Sequence, residues 1–229
     1  MKPIVRCEHL HKIYRQGEIE VHALRGVDLA IGSGEFTALA GPSGSGKTTL
    51  LNLLGGLDAF DRGEVFVKDQ RMSALTARQA TDLRLRHIGF VFQAYNLVPV
   101  LSARENVEYI LLLKGVDGRR RREQAASILR EVGLEGMEDR RPHKLSGGQQ
   151  QRVAVARALV TAPDIILADE PTANLDSETA TSLLEIMRRM NERHGVTFVF
   201  STHDNRVMEY ARRLVQLRDG RIATDERKD

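Results

Sequence analysis

The sequence predicts an α/β fold in which a parallel sheet is preceded by antiparallel β structure and interrupted by a helical segment. Two short apolar runs, Phe36–Ala40 and Ile165–Ala168, are typical of buried parallel strands. A glycine-rich turn, Gly41–Thr48, leads from the first run into a helix-forming stretch. Apolar and polar residues alternate before residue 35, which favours antiparallel strands.

Each remaining element follows from a local pattern of apolar residues bounded by glycine or capping residues. We expect antiparallel strands at 4–7 and 21–29, a helix at 49–54, a strand at 63–67, a polar helix at 76–85 and a buried strand at 88–92. Beyond them we expect a helix at 150–160, a helix at 177–193, a strand at 197–201 and a hairpin of strands 214–217 and 221–223, before a charged tail that should be frayed.

The chain reads as one domain, 1–229, with an insertion. Ser102 and Glu105 form a capping-box pattern that starts a helix through Leu113, and a second helix covers 118–132 with no strand between them. We therefore predict a helical subdomain at 94–145 within a core of 1–93 and 146–229. The arginine run 119–122 is interpreted as a solvated helix start, with contact to lipid headgroups or an acidic partner as the alternative.

Composition excludes several classes of protein. The net charge of +3 is too small to indicate a nucleic-acid partner, so we predict none. The single cysteine, Cys7, excludes an internal disulfide and is consistent with a reducing compartment. No apolar run approaches the roughly 18 residues that a membrane span requires, so we expect membrane association only through a partner.

The glycine-rich turn fits the pattern G-x-x-x-x-G-K-[ST] and predicts a phosphate-binding loop. Its residues are Gly41, Pro42, Ser43, Gly44, Ser45, Gly46, Lys47 and Thr48. The glycines allow backbone N–H groups to surround an anion at a helix start, while Lys47 reaches the β- and γ-phosphates and Thr48 joins a Mg²⁺ shell. A glycine–serine loop that binds nothing is disfavoured, because a strand precedes this loop and a helix follows it.

Acidic, amide and imidazole groups follow the other predicted parallel strands. Asp169 is suited to the Mg²⁺ shell, and Glu170 to orienting or deprotonating a water molecule. Gln93 could offer its amide oxygen to a metal or an ordered water, and His203 could reach a γ-phosphate. Taken alone, each of these last two is more often an ordinary loop residue.

A second anion-binding helix end is predicted at Leu145-Ser146-Gly147-Gly148-Gln149. Ser146 could act there as an N-cap or as a donor to a phosphate oxygen. One nucleotide seldom needs two such ends in one chain, which raises the question of a dimer. Tyr14 lies among polar residues, where it could stack on a flat ring or pack on its own sheet.

In this order, the motifs resemble those of the ATP-binding-cassette (ABC) ATPase family. The loop at 41–48, Gln93, 145–149, 166–170, 174–176 and His203 match its Walker A, Q-loop, signature, Walker B, D-loop and switch-histidine motifs, and Tyr14 matches its adenine-stacking aromatic. The segments 14–17, 54–58 and 167–172 are similar to a subgroup containing lipoprotein-releasing and macrolide-efflux ATPases. Ala173 replaces the glycine usual in that subgroup.

The resemblance implies a P-loop NTPase core and a head-to-tail homodimer that binds ATP and Mg²⁺. Each ATP would lie between residues 41–48, Thr49 and Tyr14 of one subunit and Ser146, Gly147, Gly148, Gln149 and Asp176 of the other. Thr48, Gln93 and Asp169 would hold Mg²⁺, and the catalytic residues would be Glu170, His203 and Gln93.

The functional expectation is an ATPase subunit that powers a separate integral membrane permease, in export or in lipoprotein or lipid release. It would lie peripherally on the cytoplasmic face of a bacterial inner membrane. The alternative is an ABC-type ATPase that transmits force in a cell-division complex without moving cargo. A soluble DNA-repair or translation ATPase is disfavoured, because such proteins usually carry a long coiled coil or tandem cassettes.

Overall fold

The computed structural model describes residues 2–228 and contains the following elements. The strands are β1 (Pro3–Gln16), β2 (Ile19–Gly32), β3 (Phe36–Ala40), β4 (Arg62–Val67), β5 (Gln70–Arg71), β6 (Ile88–Val91), β7 (Ile165–Asp169), β8 (Thr197–Thr202), β9 (Arg213–Arg218) and β10 (Arg221–Arg227). The helices are α1 (Lys47–Leu54), α2 (Ala77–His87), α3 (Ala103–Leu113), α4 (Gly118–Glu131), α5 (Gly147–Leu159), α6 (Ser177–His194) and α7 (Asn205–Tyr210).

Within residues 2–228 the strands form two sheets. The antiparallel sheet has the order β2-β1-β4-β5, and the larger sheet has the order β10-β9-β3-β8-β7-β6. In the larger sheet β9, β3, β8, β7 and β6 are parallel, and β10 pairs antiparallel with β9 at the edge. The carboxyl ends of these parallel strands therefore share one edge, where open α/β sheets bind their ligands.

The side chains of the central strand β8 divide between two apolar cores. Phe198 and Phe200 pack with the α3–α6 side of the molecule, whereas Val199 packs with α1 and the antiparallel sheet. This alternation follows from the two-residue repeat of a strand. Because both faces of the larger sheet are covered, its central strands are apolar almost throughout, as the sequence predicts.

The helix that follows Leu145 begins three residues earlier than predicted. Ser146 is its N-cap: the Ser146 hydroxyl accepts the Gln149 N–H at 3.3 Å, and the Gln149 side chain accepts the Ser146 N–H at 3.0 Å. This capping box draws Gly147 and Gly148 into the first turn, although glycine itself disfavours helix. The predicted capping box at Ser102 and Glu105 is also present.

The expectation of a frayed charged tail is wrong for the residues up to Arg227, which form β10. The buried guanidinium of Arg213 on β9 lies 2.7 Å from carboxylate oxygens of both Asp225 and Glu35. Hydrogen bonding from Arg213 holds the pKa of Asp225 below its usual value. These ion pairs hold β10 against β9 and leave the buried charge of Arg213 compensated.

The inserted helices pack as one layer. Apolar residues of α3 and α4, including Val107 and Leu129, lie in the same cluster as Val153 of α5. The helices of the predicted subdomain, 94–145, thus share an apolar cluster with α5 of the predicted core, 1–93 and 146–229, and the boundary between the two stays a proposal. No helix in the described part of the chain is long and apolar enough to cross a membrane.

Candidate functional site

A cleft of about 560 Å³ opens at the carboxyl edge of the larger sheet. It brings together residues that are far apart in the sequence, including those predicted to bind phosphate, adenine and metal. Its lining consists of Tyr14, Val21, His22, Ala23, Ser43, Gly44, Gly46, Lys47, Thr48, Thr49, Gln93, Glu170 and His203. The cleft is therefore our candidate for the nucleotide site.

The loop between β3 and α1 requires glycine at its closest approaches to other backbone. Gly46 has a φ of 103°, and a Cβ placed on it would lie 2.6 Å from the carbonyl oxygen of Ala23. A Cβ on Gly41 would lie 2.2 Å from the carbonyl oxygen of Leu217. Since only glycine fits these positions, the loop can wrap tightly round the N-terminus of α1, the geometry that binds phosphate.

Lys47 is held inside this loop and is only 7% exposed. Its Nζ donates to the carbonyl oxygens of Gly41 and Pro42, at 2.8 and 3.0 Å. Both partners are neutral, so the ammonium charge is not cancelled by a carboxylate. A phosphate at the loop would provide the missing negative charge.

Two hydroxyl groups converge on Asp169 at the end of β7. The Thr48 hydroxyl donates to Asp169 Oδ1 at 2.9 Å, and the Ser201 hydroxyl donates to the same oxygen. Ser201 lies on β8, which separates β7 from the strand that leads into the loop. The sheet order thus places the predicted metal ligands Thr48 and Asp169 in direct contact.

Glu170 occupies a strained position immediately after β7. Its φ is 45°, and its N–H is bonded to the Ser201 carbonyl at 3.0 Å. Glu170 Oε1 lies 2.8 Å from His203 Nδ1. Within the described chain, Glu170 Oε2 is buried without a hydrogen-bond partner. Burying an acceptor without a partner costs free energy, and such groups persist where function requires them. This oxygen is therefore free to accept a proton.

Gln93 lies just beyond β6 in a turn with unusual backbone geometry. The carbonyl of Gln93 accepts a hydrogen bond from Asn174 Nδ2 at 3.1 Å. The next turn contains Tyr95 and Asn96 with φ values of 60° and 50°. Arg157 donates to both of their carbonyls, at 2.9 and 2.6 Å, and its burial lowers the pKa of the guanidinium.

Tyr14 lies at the rim of the cleft with 38% of its surface exposed. Its hydroxyl donates to Asp58 Oδ2 at 2.9 Å, and desolvation raises the pKa of the phenol. Lys12, also bonded to Asp58, lies 4.8 Å from the ring centre. Asp58 therefore orients the ring while one side remains available for stacking.

Nine predicted site residues do not line this cleft in the described structure. Four of them belong to the loop or are bonded to Thr48, namely Gly41, Pro42, Ser45 and Asp169, and the other five are Ser146, Gly147, Gly148, Gln149 and Asp176. Ser146 is exposed at the start of α5. Asp176 caps α6 by accepting the N–H and hydroxyl of Thr179 at 2.9 and 2.7 Å, and these bonds lower its pKa. A single chain thus places its predicted phosphate-binding residues at two separate surfaces.

Comparison with known proteins decides the family. Residues 24–173, more than half of the chain, match the family described as ABC transporter. An uncharacterised ABC transporter ATP-binding protein of Thermotoga maritima is 46% identical over 228 residues, which cover 100% of this chain and 97% of that protein. The chain belongs to the ABC transporter ATP-binding family. It is an ATPase whose cofactors are ATP and Mg²⁺.

Two further relatives place this ABC ATPase more closely. The MacB macrolide export ATP-binding/permease protein of Syntrophobacter fumaroxidans is 48% identical over 221 residues, which cover 96% of this chain and 31% of MacB. The chain thus spans about a third of MacB. Its similarity to MacB agrees with the predicted subgroup, which contains macrolide-efflux ATPases. A dimeric, post-hydrolysis structure of the cassette MJ0796 from Methanocaldococcus jannaschii, bound to ADP and Pi, superposes with a TM-score of 0.92 at 42% identity, covering 98% of this chain and 99% of that chain. The predicted fold class is confirmed.

The donor set of the cleft fits magnesium. The Thr48 hydroxyl, the Asp169 carboxylate and the Gln93 amide provide the oxygen ligands that Mg²⁺ prefers. Residues 2–228 contain no cluster of three or more His, Cys, Asp and Glu side chains that could hold a metal. Phosphate oxygens and water would complete the shell, which is the usual arrangement for Mg²⁺ bound with a nucleotide.

Besides the lining residues Val21, His22 and Ala23, the sequence did not predict three supporting residues: Ser201, Arg157 and Asp58. Each acts through a partner that is distant in sequence, so no local pattern marks it. Asp58 lies in the segment 54–58, which is similar to the subgroup, and this similarity was the one sequence signal for its role. Ser201 could be assigned only from the pairing of β8 with β7.

Replacing Lys47 by alanine should weaken ATP binding about 10- to 100-fold, because a charge-assisted hydrogen bond contributes roughly 1.5–3 kcal/mol. Isothermal titration calorimetry would measure the affinity. Lys2→Ala, which changes an exposed lysine, is the matched control and should leave the affinity unchanged. Wild-type affinity in the Lys47→Ala variant would contradict the role assigned to the loop.

Proposed function

We propose that this chain is the ATP-hydrolysing subunit of a transporter and drives conformational change in a separate integral membrane permease. The observation that carries the proposal is the division of phosphate-binding groups between two surfaces. One surface is the cleft at Lys47, and the other is the exposed N-terminus of α5 at Ser146. Two copies arranged head to tail would join one surface of each kind around each ATP.

The cleft contains groups suited to each part of MgATP. Tyr14 would stack on adenine, the loop at 41–48 and Thr49 would bind the phosphates, and Thr48, Gln93 and Asp169 would hold Mg²⁺. The bound Mg²⁺ would offset the charge of the phosphate oxygens. Lys47 would exchange its carbonyl partners for phosphate oxygens, a stronger charge-assisted interaction.

Hydrolysis follows from the geometry at Glu170. Its unpartnered Oε2 would take a proton from a water molecule while the water oxygen bonds to the γ-phosphorus. The bond from that phosphorus to the bridging oxygen breaks, leaving ADP and inorganic phosphate. His203, bonded to Oε1, would orient the carboxylate and reach the γ-phosphate.

The γ-phosphate would then act as the switch of the dimer. In the closed dimer, Ser146, Gly147, Gly148, Gln149 and Asp176 of the second subunit would contact the nucleotide of the first. Release of phosphate after hydrolysis would remove the group to which both subunits bind, so the dimer would open. The dimeric structure of MJ0796 in a post-hydrolysis state, bound to ADP and Pi, supports a dimer that persists until phosphate leaves.

A groove of about 420 Å³ beside the Gln93 turn is suited to docking of the permease. Phe90, Phe92, Val98, Tyr109 and Ile110 provide its apolar lining. Val98 and Tyr109 are exposed, as are Leu112 and Leu113 further along α3. Contiguous exposed apolar residues of this kind mark an interaction surface.

The groove and the nucleotide cleft share a mechanical connection. The segment from Gln93 to Asn96 separates them, and Arg157 of α5 donates to the carbonyls of Tyr95 and Asn96 within it. Since α5 begins at Ser146, movement of the second phosphate-binding surface would be transmitted to the groove. The macrolide export ATP-binding/permease name of MacB supports a membrane partner and a role in export. Release of lipoproteins or lipids, and a position on the cytoplasmic face of the membrane, are further parts of the proposal.

Replacing Glu170 by glutamine should lower ATP turnover by roughly 10²–10⁴-fold, because the amide cannot accept the proton from water. Steady-state phosphate release would measure the effect, with Glu123→Gln on the exposed face of α4 as the control. ATP affinity should be retained. Undiminished turnover would remove Glu170 from its proposed role.

A charged side chain in the groove should disrupt docking of the permease and leave ATP binding unchanged. Tyr109→Glu should abolish co-purification of a membrane-spanning partner from detergent-solubilised membranes, because an unpaired carboxylate would be desolvated in an apolar interface. ATP affinity should stay within about twofold, because the groove lies outside the cleft. Gln124→Glu on α4, outside the groove, is the control. Retention of the partner by Tyr109→Glu would exclude this docking surface.

A further inference from the structure

Ser201 is a polar residue in the apolar centre of the larger sheet. It is fully buried on β8, preceded by Phe198, Val199 and Phe200, which are also fully buried. A hydroxyl in such surroundings lowers stability unless it is hydrogen-bonded. Its partners therefore indicate why the position contains serine.

Those partners are the two acidic residues of the nucleotide site. The Ser201 hydroxyl donates to Asp169 Oδ1 and accepts the Glu170 N–H at 3.2 Å. The Ser201 carbonyl accepts the same N–H at 3.0 Å. One residue thus fixes both the carboxylate of Asp169 and the backbone of Glu170, whose φ of 45° is strained.

The Thr48 hydroxyl is the other donor to Asp169 Oδ1, at 2.9 Å. The two donors differ in what nucleotide binding would do to them. Thr48 belongs to the phosphate-binding loop and would turn to the magnesium shell, whereas Ser201 lies in the core of the sheet and has no such alternative. Ser201 would then be the donor that maintains the rotation of the Asp169 carboxylate.

We propose that Ser201 is a positioning residue of the ATPase site, which orients Asp169 towards Mg²⁺ and stabilises the turn at Glu170. The inference rests on the proposed roles of Asp169 and Glu170. It predicts that loss of the hydroxyl weakens the Mg²⁺-dependent part of nucleotide binding, because a freely rotating carboxylate is a poorer ligand. Nucleotide binding without Mg²⁺ depends on the loop and should not change.

The test compares Ser201→Ala with Thr197→Ala, both made in the Glu170→Gln background so that ATP is not consumed. Thr197 is the matched control: it is fully buried at the other end of β8, and its hydroxyl accepts a hydrogen bond from Gly34 N–H, away from the site. Calorimetry would measure ATP affinity with Mg²⁺ and with EDTA. The half-saturating Mg²⁺ concentration for hydrolysis would be measured with Glu170 present.

Ser201→Ala should reduce ATP affinity in Mg²⁺ and raise the half-saturating Mg²⁺ concentration, each roughly tenfold, the equivalent of one hydrogen bond to a charged group. Affinity in EDTA should stay within about twofold, and Thr197→Ala should change neither quantity beyond that. Ser201→Thr keeps a hydroxyl, so its ATP affinity in Mg²⁺ and its half-saturating Mg²⁺ concentration should return to the values found with Ser201. Ser201→Cys keeps the size of the side chain but has only a weak donor, so it should behave like Ser201→Ala. This comparison holds even if the threonine variant does not fold.

An unchanged Mg²⁺ dependence in Ser201→Ala would overturn the inference. An equal shift in Ser201→Ala and Thr197→Ala would also overturn it, since the effect would then be one of general stability. Failure of the proposed function would be distinct: the parent Glu170→Gln chain would itself show no gain in ATP affinity from Mg²⁺.

Discussion

The register of β7 against β8 is the constraint on which the candidate site depends. It sets Asp169 directly beside Ser201, with β8 between β7 and the strand that leads into the phosphate-binding loop. A shift of one residue would turn the side chains of β7 to the opposite face of the sheet. Two apolar cores hold this register from both faces, so the positions of the polar groups at the edge are determined by packing.

Groups at the carboxyl edge of the sheet lower the stability of the chain, and the rest of the fold offsets this loss. Glu170 has a strained backbone and a buried oxygen without a partner among the described residues, and Lys47 is buried against neutral carbonyls. Strain and unsatisfied polar groups of this kind reduce stability and persist where function requires them. MgATP would pair with the ammonium group of Lys47, whereas Glu170 Oε2 would accept from the attacking water molecule. The buried charge of Lys47, which lowers the stability of the isolated chain, would therefore favour binding of the phosphates.

Most elements of the fold could be predicted from local patterns, because short apolar runs and capping residues determine them directly. Phe36–Ala40 forms a strand with the predicted bounds, and the capping box at Ser102 starts its helix as expected. The errors had two different sources. The charged tail forms β10 because Arg213 pairs with Asp225 on the neighbouring strand. The start of α5 was placed too late because the local capping box of Ser146 and Gln149 draws two glycines into the first turn.

The candidate site was predictable to the extent that its residues form contiguous motifs. The loop, Gln93, Glu170 and His203 meet in one cleft, and the sequence alone indicated that they would. Supporting residues such as Ser201 and Arg157 could not be found in this way, because their roles arise from contacts between strands or between a helix and a turn. The separation of Ser146 from the cleft, in contrast, agrees with the head-to-tail dimer that the family resemblance implies, whereas the surplus of helix ends only raised the question of a dimer.

We propose that ATP joins two copies of this chain and that each copy completes the site of the other. Light scattering of the Glu170→Gln variant, with MgATP and without nucleotide, would test this pairing. We expect a monomer without nucleotide and a dimer of twice the mass with MgATP. A species that binds MgATP stoichiometrically and remains monomeric would contradict it.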